Sequence, residues 1–230
     1  MKKCLEWLLC VCAVALGFTL GGSAGASGPT SASQLLALAI HDAVGSGWVH
    51  ETTNASGSGH KFSMVNDIGT TQGRQVIVSD GAHAQVLVLD GNAYLYGDDK
   101  AIANYFGIST NDPQKYANQW LELTPTSSDY STVSAAVTLQ SDFEHLAMPG
   151  TLKEGGIVTI KGHKVRPISG HIPATSQAPA GNATLYVTTS GTILPFEYQV
   201  VGKGIKSITN WSDWGHKVTI IAPTPTLVSS

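Results

Sequence analysis

Arg74-Gln-Val-Ile-Val-Ser-Asp-Gly-Ala-His-Ala-Gln-Val-Leu-Val-Leu89 is the stretch that decides the fold. Two apolar runs of strand length, Arg74 to Ser79 and Ala84 to Leu89, flank Asp80-Gly81. A two-residue hairpin turn of type I′ needs positive φ at both central positions, and Asp-Gly tolerates that. The spacing predicts two antiparallel strands. Asp90-Gly91-Asn92 turns the chain again into Ala93 to Tyr96. On the other side, Lys61 to Ile68 alternates, with Phe62, Met64 and Ile68 on one face and Lys61, Ser63 and Asp67 on the other. Gly69 to Gly73 joins it to Arg74. Trp48 to Thr53 is a further strand, and Asn54 to Gly59 reads as a flexible connection. Five antiparallel strands with tight turns are the economical reading of this half.

A helix precedes them. Ser33 reads as an N-cap for Gln34 to Val44, which Gly45-Ser46-Gly47 ends. It is apolar most of the way round, which implies substantial burial. The middle of the chain reads as helical. Asp98-Asp99 caps a segment running to about Phe106, Pro113 suits the first turn of another through Trp120, and Ser128 to Ala147 forms a third. Trp120 to Leu123 is a short extended piece. Strands return at Gly156 to Lys161, His163 to Ser169, Ala183 to Thr189, Thr192 to Val201, Gly204 to Trp211 and Lys217 to Ile221. Leu194, Phe196, Tyr198 and Val200 fall on one strand face. Helix and strand segments are separated along the chain, so the prediction is one α+β domain over 27–230. Residues 27–33 and 222–230 read as tails.

Lys2 and Lys3, the apolar run Leu8 to Leu20 and the small residues up to Ala24-Gly25-Ala26 have the layout of a signal peptide cut after Ala26. An uncleaved anchor is the competing reading. Cys4, Cys10 and Cys12 all lie in this segment, so residues 27–230 contain no thiol for disulfides, cysteine-ligated metals or nucleophilic catalysis. Cys10 follows Leu8-Leu9 and Cys12 follows Val11, which is the wrong context for lipid attachment. A secreted or envelope location is expected. Without Lys2, Lys3 and Glu6 the chain keeps 11 basic and 15 acidic residues. Only Arg74 and Arg166 are arginines, and no basic stripe exists, which argues against nucleic-acid binding.

The eight histidines show neither H-x-x-x-H nor H-E-x-x-H spacing, and zinc ligands at a plausible spacing are missing. No G-x-S-x-G elbow or Walker glycine loop is present. No catalytic residue, metal ligand or cofactor is therefore assigned. The apolar pattern is more informative. Val86 to Leu89 is apolar on both faces, and two helical segments are available to cover a sheet. From pattern alone, an ordinary filled core is preferred to an apolar ligand cavity.

Other segments carry a resemblance. These are Ser33–Val44 with Gly45-Ser-Gly-Trp-Val-His50, Asp67-Ile-Gly-Thr-Thr-Gln-Gly-Arg-Gln75, Gly91-Asn-Ala-Tyr-Leu-Tyr-Gly97 and Trp120-Leu-Glu-Leu with Pro125. Ala183-Thr-Leu-Tyr-Val-Thr-Thr-Ser-Gly191 with Leu194-Pro195, and Trp211-Ser-Asp-Trp-Gly215 with Val218-Thr-Ile, complete the set. In order and spacing the chain resembles the LppX/LprA/LprF/LprG lipoproteins of actinobacteria, although its leader has no lipobox. The resemblance implies a LolA-like fold: a strongly curved antiparallel sheet, an unclosed half-barrel, wrapped around helices. It also implies a non-enzymatic carrier that holds a lipid or other amphipathic ligand between sheet and helices. The expected sheet wall is Phe62, Met64, Val76, Val78, Leu87 and Leu95, continued by Leu185, Val187, Phe196 and Tyr198. The helical side is Leu35, Leu38, Val137 and Phe143. The alternative is a secreted envelope protein with a filled core that acts through protein–protein contacts; a hydrolase comes third.

Overall fold

The computed structural model describes residues 31–104, 115–127, 130–135, 137–144, 146, 148, 150–174, 180–224 and 227–229. The expected signal peptide therefore lies outside the described residues.

The first helix, α1 (Ala32–Gly45), starts two residues earlier than its sequence signal. Ser31 is the N-cap, its Oγ accepting from the Gln34 N–H at 3.2 Å. Ala32, Leu35, Leu36, Ala39 and Ala43 are buried at helical spacing, which turns one stripe onto the sheet.

Strands β1 (Trp48–Gly57), β2 (His60–Gly69), β3 (Gly73–Ser79), β4 (Ala82–Leu89) and β5 (Asn92–Gly97) form a meander. Its Asp80-Gly81 and Asp90-Gly91 turns behave as the sequence predicts, and Ser58-Gly59 makes a further turn of the same kind. Asp80 and Gly81 have φ of 49° and 79°, and Ser58-Gly59 and Asp90-Gly91 have the same signs. That backbone matches the right-handed twist of the flanking strands. Asn54 to Gly57, expected as a flexible connection, instead continues β1 and pairs with Ser63 to His60.

The short helix α2 (Asp99–Asn104) follows, then β6 (Leu121–Leu123). Residues 115–120 form turns rather than the expected helix, and 111–114 lie outside the described residues. The expected single helix Ser128–Ala147 is two short ones, α3 (Tyr130–Ala135) and α4 (Leu139–Glu144). Thr138 leaves the helical path between them to bridge Gly69 of the sheet.

The second meander comprises β7 (Lys153–Glu154), β8 (Val158–Ile160), β9 (His163–Ile172), β10 (Gly181–Thr188), β11 (Pro195–Gly202) and β12 (Ile205–Ser212). Residues 217–221 are irregular, not a strand. Part of the expected C-terminal tail is instead β13 (Leu227–Ser229), parallel to β6.

The strand order is β13-β6-β5-β4-β3-β2-β1-β12-β11-β10-β9-β7, with β8 on β9. The β1–β12 ladder welds the two meanders together. The sheet ends at β13 on one side and β7 on the other, so it is unclosed. With helices on one face, this is the α+β class that the sequence pattern predicts, in the unclosed form that the resemblance implies. The main core lies where α1 and α4 meet the sheet, around Ala39, Phe143, Ile168, Leu185 and Trp211.

Candidate functional site

Cross-strand register defines the helix-bearing, inner face in rows, because side chains alternate between faces with period two. Val49 pairs with Ile68, and both are fully buried against the helices. Two residues further along, Trp211, Glu51, Asn66 and Gln75 lie side by side on β12, β1, β2 and β3. The next row holds Thr209, Thr53, Met64, Ile77 and Ala84, and the one beyond it Ser207, Ala55, Phe62, Ser79 and Ala82. The inner face therefore has a polar belt inside an apolar surround.

Glu51 is the centre of that belt and is 3% exposed. Its Oε2 accepts from Trp211 Nε1 at 3.3 Å and its Oε1 from Thr53 Oγ1 at 3.1 Å. Thr53 also shares a 2.8 Å hydrogen bond with Thr209. The carboxyl of Asp142, on α4, is turned inward against Glu51. Burial first, and then the charge and hydrogen bond of Asp142, push Glu51 well above the usual carboxylate range. Burial pushes Asp142 up to about 6. Two carboxyls this close in a dry site share a proton, since both ionised would repel. Both carboxyls are therefore shifted toward the protonated form, Glu51 the more strongly.

Asn66 faces the same space from directly opposite Glu51. It is 1% exposed, and neither Nδ2 nor Oδ1 has a hydrogen-bond partner among the described residues. Beside it, Gln75 Nε2 donates to Met64 Sδ at 3.3 Å. A buried amide normally satisfies both atoms, so Asn66 is an exception. Among the described residues, no three His, Cys, Asp or Glu side chains converge as a metal site.

The structure divides the expected wall residues. Leu35, Phe143, Leu185 and Val187 lie in the main core, with Tyr198 packed against it. Leu95 and Val137 belong to a second cluster with Val86 and Leu123. Phe62 and Met64 pack, half-buried, on a third around Ile77 and Ala84. Leu38 is half-buried on α1. Val76, Val78 and Leu87 are not brought together with these. Their register puts them on the outer face, where Val76 is 39% exposed.

Phe196 is displaced for a different reason. Tyr186 pairs with Glu197 but Val187 pairs with Pro195, so a bulge leaves Phe196 without a partner. The extra residue breaks the alternation, and the ring packs 5.1 Å from His163. Strict alternation from Leu194 to Val200 therefore fails at Phe196.

An unclosed antiparallel sheet with a helix-covered inner face and a buried polar belt defines this as a half-barrel fold with a candidate binding face. Solved structures of the same fold exist. LprF from Mycobacterium bovis is 15% identical, with a TM-score of 0.53 over 84% of this chain and 96% of that one. The lipoprotein LppX of Mycobacterium tuberculosis is 17% identical, with a TM-score of 0.50 over 83% of this chain and 100% of that one. At such identities the likeness is one of fold. No protein-family model matches the chain, and no curated protein matches it in sequence.

Proposed function

We propose that this protein is a secreted, non-enzymatic carrier that holds a lipid or other amphipathic ligand against the inner face of its sheet. The observation that supports this most is the uneven cover of that face. α1 and α4 seal one end, where Ala39, Phe143, Leu185 and Val187 have no exposure. At the other end Phe62 and Met64 share the same face yet stay half-buried, beside the small residues Ala55, Ser79 and Ala82. Apolar side chains left partly open are where an acyl chain gains by burial, at about 0.8 kcal/mol per methylene. The belt of Glu51, Asn66 and Gln75 borders that end, and the Asn66 amide, which has no hydrogen-bond partner among the described residues, is available to a polar headgroup. The shared fold with a protein described as a lipoprotein is consistent with this reading.

A second reading is an envelope protein that acts through its outer face. Val65 and Val76 are direct cross-strand partners there, 41% and 39% exposed. A fluorescent fatty-acid probe separates the two. The carrier reading expects saturable binding, lost in Met64→Trp and retained in Val76→Trp. No binding by the wild type would leave the outer-face reading.

A further inference from the structure

A groove of about 640 Å³ lies at the β1–β2 hairpin end of the sheet. It is separate from the polar belt. Its sides come mainly from outward-facing residues of β12, β1, β2 and β3. Ser56 pairs with Lys61 on one side and with Lys206 on the other. Two lysines thus flank one hydroxyl, with backbones about 10 Å apart at the usual strand spacing. Side chains of that length reach a common point between them. Lys100 of α2 approaches from the Gly81 side; its Nζ is 3.9 Å from where a Cβ on Gly81 would lie. None of the three ammonium groups has an ion-pair partner among the described residues.

One carboxylate also borders the groove. Asp80 accepts from His60 Nδ1 at 2.5 Å and from the Lys61 N–H at 2.9 Å, so its oxygens are already engaged. The Lys61 N–H and then His60 hold its pKa below the ordinary value, so it stays ionised. The groove keeps a positive balance. In the next outward row, Val78 and Ile208 lie on either side of Asn54 and Ser63. Cationic ends beside apolar side chains form an amphipathic surface, in a chain whose net charge is −3.

We propose that this groove binds the phosphate-bearing headgroup of an anionic amphipathic molecule. Lys61, Lys206 and the Ser56 hydroxyl supply convergent donors to its oxygens. Val78 and Ile208 take the first part of its apolar chain. A phosphate has enough oxygens for three donors at once, and charge-assisted hydrogen bonds are the stronger kind. The groove touches Ala55 and Phe62 of the inner face, but Lys61, Lys206 and Ser56 play no part in the carrier reading, so either can fail without the other.

Calorimetric titration of the mature protein tests it. The probes are dihexanoyl phosphatidylglycerol below its micellar concentration, dihexanoyl phosphatidylcholine, inorganic phosphate, and vesicles of mixed phosphatidylglycerol and phosphatidylcholine. The phosphatidylglycerol headgroup is expected to bind, about tenfold or more weakly in Lys61→Gln/Lys206→Gln and with affinity restored in Lys61→Arg/Lys206→Arg. Binding of the monomer identifies single molecules as the source. Binding of vesicles alone, lost in the same variant, identifies a membrane surface. Unchanged affinity in the glutamine variant would overturn the proposal. So would equal affinity for phosphatidylcholine or for inorganic phosphate, or no binding of monomer or vesicle. Both lysines are exposed, so the melting temperature should be the same in all three proteins.

Discussion

Glu51 and Asp142 carry a pH signature. Both have folded pKa values raised above those of the unfolded chain, where carboxyls titrate near 4. A raised acid binds more protons in the folded state, so its contribution to stability is full below about pH 4 and falls as pH rises through the folded values. Asp67 works the other way. Its burial favours the neutral form, but hydrogen bonds from His50 at 2.8 Å and Arg74 at 2.5 Å outweigh that and lower its pKa. Its contribution is present above about pH 4 and is lost as pH falls through the lowered value. Together they predict a melting temperature that is highest near pH 4–5 and falls toward pH 7. Glu51→Gln should flatten the upper limb and melt higher than wild type at pH 7.5. An unchanged slope in a pH series of thermal melts would contradict the assignment. Val187 gives a second residue-scale test. It is fully buried between β9 and β11, so Val187→Trp should overpack the core and cost about 1–3 kcal/mol in a denaturant titration.

The same scale shows what the sequence hides. Val76 and Val78 look like a core phase because Gln75 and Ser79, in the other phase, are polar. In the structure Gln75, Ile77 and Ser79 face inward, because Gln75 completes the polar belt beside Asn66. A one-residue difference in phase exchanges the faces. Glu51 and Asn66 carry no motif at all. Their only signal is that they share strand phase with Val49 and Ile68, and alternation alone does not separate a buried polar residue from a solvated one.

At the scale of elements, the hairpins were legible because a turn is a local decision. Asp80-Gly81 and Asp90-Gly91 state it in two residues, whereas Ser58-Gly59 reads only as part of a flexible connection. The helical middle was not, because its breaks are set by the sheet it crosses. Gly69 and Gly73 show the constraint. A Cβ on Gly73 would lie 2.5 Å from the Val137 carbonyl oxygen, and one on Gly69 2.8 Å from the Trp48 indole. The segment between α3 and α4 is pressed onto the β2–β3 turn, and Thr138 leaves the helical path to pair there. Gly73→Ala should therefore push the α3–α4 segment away. Lower hydrogen-exchange protection around Val137 and Leu139, with a lower melting temperature, is the expected result; wild-type protection would contradict this contact. Asp98 is a second element-scale case. Its Oδ1 accepts from the Ala101 N–H and its Oδ2 from the His83 N–H, each at 2.8 Å, so one side chain caps α2 and anchors it to β4. Asp98→Ala should cost about 1–2 kcal/mol, the upper range for a cap, read in the same titration.

At the scale of the molecule, strand count and turn spacing made one α+β domain with antiparallel strands legible, and the unclosed sheet was expected only from the resemblance carried by the order of ordinary segments. The β1–β12 ladder was not, because it joins residues about 150 positions apart and no local signal marks such a pairing. That ladder brings Glu51 beside Trp211 and Lys206 beside Ser56, so both candidate sites depend on it. The division of the inner face into an end sealed by α1 and α4 and an end where Phe62 and Met64 stay half-buried beside Ala101 of α2 also arises only here. The carrier reading stands on that division. Native mass spectrometry of the protein purified from its own host tests it most directly, with Met64→Trp prepared in parallel. A discrete added mass of lipid size is expected on the wild type, reduced or absent on Met64→Trp. A wild type found only at its bare polypeptide mass, or an adduct unaffected by Met64→Trp, would contradict it.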